Sequence, residues 1–75
     1  MKYITKLKLV AVHQLCDIED KSTEFMLQAM QEICKVDLDC VLNYMNEVSD
    51  EKRIELYREI NSLNDVILDC VKFIN

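Results

Sequence analysis

Neither glycine nor proline occurs anywhere in the 75 residues of this chain. Hairpin turns with positive φ draw on glycine, and sheets normally need such turns. Helices tolerate the omission, because asparagine or water can complete their ends. The composition therefore predicts an all-α fold. It also removes the glycine-rich phosphate loops of nucleotide-binding proteins, which argues against a nucleotide-dependent enzyme.

A chain this short is a single domain that buries only about 60% of its unfolded surface. Yet 51% of the residues are hydrophobic. That surplus needs a home, and a core shared between subunits is the simplest one. The expected architecture is a small three- to four-helix bundle over 1–75, with helices at about 3–17, 23–36, 38–47 and 50–74.

In the first of these, Ile4, Leu7, Ala11, Leu15 and Ile18 share a face, with Val12 beside it. Leu9, Val10 and Cys16 point elsewhere, so the segment is apolar nearly all round and belongs at the centre of the bundle. A strand at Leu7 to Val12 is the competing reading, since β-branched residues gather there and Lys2, Lys6 and Lys8 oppose the helix dipole. The charged stretch Asp17 to Ser22 makes the first break, with capping residues at Asp20 and Ser22. Beyond it Met26, Ala29, Met30 and Ile33 face one way, and Glu24, Gln28, Gln31, Glu32 and Lys35 the other.

Asp37 would fall about 20° from Met26, inside that apolar stripe, if the helix ran straight on at 100° per residue. The following set Leu38, Val41, Leu42 and Met45 is rotated by about 100° from the earlier one. A restart with Asp37 as N-cap and Asp39 in the first turn removes both conflicts. The alternative is a buried carboxylate on a continuous helix, paired with a lysine or with His13.

The last third carries the clearest pattern. Leu56, Ile60, Leu63, Ile67, Cys70 and Ile74 step by four and three, the seam of a heptad repeat, with Tyr57 and Val71 on its flank. Ser49 is suited to N-cap the helix, Asp50 and Glu51 suit its first turn, and Lys72 suits its last. The pattern predicts one long amphipathic helix that pairs with a second copy, although pairing within one chain could satisfy the seam too, with a bend at Asn61 to Asp65 as the fallback.

The formal net charge is −5 and uneven. Lys2, Lys6 and Lys8 precede the first acid, whereas the other six basic residues share the chain from Asp17 onward with all fourteen acidic ones. A phosphate-backbone binder needs a basic face, so nucleic acid is a poor partner. The basic start could lie against an acidic surface of the same protein or of a partner. No run approaches a membrane span, and the opening MKYITKLKLVAVHQLC has too short an apolar core and no cleavage motif for a signal peptide. A cytoplasmic protein with reduced cysteines is the resulting expectation.

Candidate chemistry is sparse. Cys16, Cys34, Cys40 and Cys70 contain no C-x-x-C pair, and Cys34 and Cys70 fall on or beside apolar stripes, where thiols act as small hydrophobes. A zinc site from His13, Cys16, Cys34 and Cys40 would lack the turns that bring such ligands together. His13 lies four residues before Asp17, so an exposed i, i+4 pair is the expected arrangement. Glu51, Glu55 and Glu59 form an acidic row, read as solvated or as a surface for a basic partner. Met26, Met30 and Met45, with Phe25, Tyr44, Tyr57 and Phe73, supply core packing or a methionine-lined groove.

No catalytic residue, metal or cofactor is expected. The favoured function is a non-catalytic acidic helical protein that binds and regulates or inhibits a macromolecular partner, as a homodimer. The alternative is a DNA-binding regulator, with helices 23–36 and 38–47 loosely resembling a helix-turn-helix. The second of those offers Asp39, Asn43, Asn46 and Glu47 and no cation, which suits DNA badly.

Overall fold

A computed structural model of the chain describes residues 2–60 and 64–74, with side chains for 2–60 and 68–73. The described residues form five α-helices: α1 (Tyr3–Ile18), α2 (Thr23–Cys34), α3 (Leu38–Glu47), α4 (Asp50–Tyr57) and α5 (Asn64–Ile74). Among the described residues there is no strand, and Leu7 to Val12 is helical. The radius of gyration of 10.9 Å matches the value of about 11 Å expected for one packed domain of this length.

α1 is the central element. Leu7, Leu9, Val10, Ala11, Val12 and Cys16 are all buried, because α2, α3, α4 and α5 each pack against it. Four consecutive buried residues, Leu9 to Val12, span most of the helix circumference. Only the ends of the expected face, Ile4 and Ile18, are exposed.

The breaks show how helices end without glycine. Asp20 and Lys35 adopt the left-handed conformation, at φ 55° and 58°. At Asp20 the Lys21 N–H donates to the Cys16 carbonyl at 2.9 Å and the Asp20 N–H to Asp17 at 3.1 Å, the two bonds of a Schellman closure. At Lys35 the Val36 N–H reaches back to Gln31 at 3.2 Å. Each residue accepts a strain that glycine would avoid, so that the chain can turn sharply. Asp20 thus closes α1, and the cap of α2 is Ser22, whose Oγ accepts from the Phe25 N–H at 3.1 Å.

Asp37 restarts the chain as α3. Its carboxylate accepts from the Cys40 N–H at 2.9 Å, and Asp39 sits in the first turn. The helix expected over 23–36 stops at Cys34, where Lys35 turns the backbone. Ser49 caps α4 through the Lys52 N–H at 3.2 Å.

The long helix over 50–74 is not present. α4 ends at Tyr57, the chain turns through Arg58 to Ile60, and α5 begins at Asn64. A single helix of that span would be about 37 Å long at 1.5 Å per residue. The molecule measures 28 × 26 × 21 Å, so part of such a helix would project beyond any core this chain could provide. Breaking it lets both halves fold back onto α1. Leu56, Ile60 and Cys70 remain on a common interior, 2%, 1% and 0% exposed. Leu63, with the proposed bend around it, lies outside the described residues, as do the side chains of Ile67 and Ile74.

Candidate functional site

A polar cluster sits where α1, α3 and α4 meet. His13 of α1 is half-buried rather than exposed, and its partners are not the expected Asp17. Its Nδ1 lies 3.0 Å from the Tyr44 hydroxyl of α3, with the two rings edge-on at 5.8 Å and 77°. Its Nε2 lies 2.9 Å from Arg53 Nη1 of α4. Tyr44 is 1% exposed and packs with Val41 into the core.

Arginine can only donate, so the Arg53 contact makes Nε2 of His13 an acceptor. The proton of the neutral ring therefore sits on Nδ1 and is donated to the Tyr44 oxygen. Burial, and then the Arg53 guanidinium, push the His13 pKa below 6.5. The carboxylates Asp17 and Asp50 pull it up but do not prevail, consistent with their exposure of 65% and 89%. Arg53 reaches Asp17 at 3.9 Å and Asp50 at 3.5 Å while its own side chain is 14% exposed. Among the described residues its Nε meets no acceptor. Burial also raises the Tyr44 pKa, which keeps its hydroxyl protonated.

Sequence reasoning missed Tyr44 and Arg53 as polar partners. Arg53 is one of only two arginines, and its i, i+3 relation to Asp50 was visible, but contacts reaching 31 and 40 residues along the chain leave no local trace.

A different feature marks the outer side of α3. Val41 and Tyr44 point inward, while Leu38, Leu42 and Met45 are 43%, 44% and 37% exposed. The four residues expected to form its buried stripe are thus split, with only Val41 fully inside. Spacings of four and three make Leu38, Leu42 and Met45 neighbours on one shoulder of the helix. Asp37, Asp39 and Glu47 are exposed on the same segment, and residues 36–51 contain five acids and no lysine or arginine.

Glu51, Glu55 and Glu59 are exposed, yet they do not share one helix, because α4 stops before Glu59. Glu55 pairs with Lys52 at 3.7 Å, and Glu59 accepts from the Tyr3 hydroxyl. That contact brings the lysine-rich start of α1 to the acidic row of the same chain. Phe25 and Phe73 pack at 5.6 Å, joining α2 to α5. Near their C-terminal ends an open groove of about 430 Å³ is lined by Glu32, Lys35, Asp69 and Lys72 with Ile33 and Phe73; its charges offset one another and select no ligand.

Cys16, Cys34 and Cys70 are buried and Cys40 is partly exposed; all are free thiols. Burial pushes Cys34 up to about 12 and Cys70 up to about 11, and raises Cys16 as well. Such thiols are poor nucleophiles. Among the described residues no three His, Cys, Asp or Glu side chains are grouped to hold a metal ion, and no helix is long and apolar enough to cross a membrane. The fold and its polar corner define a small all-helical protein. Comparison with models of protein families, with curated proteins and with solved structures finds no match.

Proposed function

We propose that this is a non-catalytic interaction protein that docks through the outer face of α3. The partner is a helical segment of another protein that sets leucine-like side chains beside lysine or arginine, and docking regulates or inhibits that protein. The observation carrying this reading is the exposed row Leu38, Leu42 and Met45, three apolar neighbours on one helix shoulder set among acids and no cation. Covering them would contribute about 1 kcal/mol or more apiece, and methionine adapts to varied partners. The acid-only stretch 36–51 supplies the charge that chooses a basic segment. The same acids disfavour DNA, so the lysines of α1 alone would have to serve that alternative.

A second copy of the chain, expected from the heptad seam, is the other occupant to consider. Leu56, Ile60 and Cys70 now lie within the chain's own core, and pairing through them would require opening it. A homodimer would instead have to use another face, such as α3, where acid would meet acid, or the exposed Leu68 and Val71 of α5.

The test uses a synthetic amphipathic leucine–lysine peptide, with a leucine–glutamate peptide as control, titrated calorimetrically against the whole protein. The lysine peptide should bind, weaken with added salt, and lose about tenfold or more in affinity to a Leu42→Ser, Met45→Ser double variant, because two apolar anchors are removed at constant charge. Equal binding by the variant, preference for the glutamate peptide, or no binding would overturn the proposal. Sedimentation equilibrium of the free protein gives a monomer on this reading; a dimer dissociated by the double variant would transfer α3 to self-association.

A further inference from the structure

The polar corner supports an inference that does not depend on the docking proposal. We propose that His13 is an acid-sensitive latch, which in its neutral form ties α4, through Arg53, and α3, through Tyr44, to the central helix. The geometry makes the two ties unequal. Nδ1 donates to Tyr44 in either protonation state. Nε2 can accept from Arg53 only while it is unprotonated, and a proton there would set N–H against N–H, and cation against cation, at the present 2.9 Å. Protonation therefore releases the α4 tie first.

Arg53 has somewhere to go. Asp17 and Asp50 are already within 4 Å and face solvent, so a small rotation takes the guanidinium out of the corner and onto those carboxylates. The charged and titratable groups around His13 are Asp17 on its own helix, Tyr44 on α3, and Arg53 and Asp50 on α4. Among the described residues, α2 and α5 contribute no charge that acts on it. No group in that set is a carboxylate seated directly against the ring, where it would stabilise the imidazolium. Desolvation and Arg53 oppose the charged form together.

The direction of the effect follows from linkage. A histidine whose folded pKa lies below its unfolded value binds more protons when the chain unfolds, so its contribution is complete above about 6.5 and is lost as pH falls through the lower, folded value. Stability should therefore fall with acidification below about pH 6.5.

The experiment is urea denaturation of the full chain between pH 7.5 and 5, followed by tyrosine fluorescence, for wild type and for His13→Gln, whose side-chain oxygen still accepts from Arg53 but does not titrate. The wild-type midpoint should fall steadily below pH 6.5, and the variant should be flat over that range. In parallel, nitrogen chemical shifts of the wild-type imidazole, which need no variant to fold, should show the Nδ1–H tautomer and a midpoint below 6.5. An Nε2–H tautomer, an imidazole midpoint at or above 6.5, or an unchanged pH slope in His13→Gln would overturn the latch.

Discussion

α1 and α3 are both rich in apolar residues, and the protein treats them in opposite ways. α1 is enclosed by its four neighbours, so its apolar side chains are buried around most of the helix. α3 packs on α2 and more thinly on α1, and it buries Val41 and Tyr44 while leaving Leu38, Leu42 and Met45 at the surface. The pattern of a helix thus states how much apolar surface it carries. The number of neighbours around it states how much becomes core.

The contrast is tested most severely by truncation. Leu9→Ala should destabilise the protein by about 3 kcal/mol, since a closed site cannot collapse around the lost side chain, whereas Leu42→Ala should stay within about 0.5 kcal/mol; paired urea midpoints decide it. Comparable losses would mean that the outer face of α3 is core after all. Next in size is the polar tie between the two helices. Tyr44→Phe keeps the ring but removes the oxygen that accepts from His13, and should cost about 1–2 kcal/mol with a larger increase in amide exchange in α3 than in α1.

Asp37→Ala should cost about 1 kcal/mol by removing the cap of α3, and the exchange gain should again concentrate there. If α1 and α3 opened equally in both variants, the two would form one cooperative unit and the proposed difference in anchoring would not hold. The smallest effect is a gain. Lys35→Gly relieves a left-handed residue at the turn before α3 and should stabilise by up to about 1 kcal/mol, net of the extra freedom glycine gives the unfolded chain. A thermal midpoint below wild type would show that the Lys35 side chain contributes more than the strain costs.

Much of the architecture could be read from single residues. The absence of glycine and proline excludes the easy routes to a sheet, and Asp37 discloses its capping role because no charged residue sits comfortably in the stripe it would interrupt. The all-round apolar pattern of 7–16 marks a central helix for the same local reason. Where reading failed, the deciding information was distant. The heptad steps from Leu56 to Ile74 satisfy one long helix or two short ones folded to a shared interior, since either arrangement brings Leu56, Ile60 and Cys70 to an apolar surface. His13 looked like a surface residue because its partners lie on two other helices.

Sequence alone determined that the chain is helical, where α1, α2 and α3 begin, and that α1 must be surrounded, because capping, strain and side-chain periodicity act over a few residues. Only the tertiary structure decided that the last third is split, which shoulder of α3 is left outside, and that His13, Tyr44 and Arg53 meet. Those outcomes depend on how much surface a core less than 30 Å across can cover and on which helices lie against one another. Neither quantity is written in a local pattern.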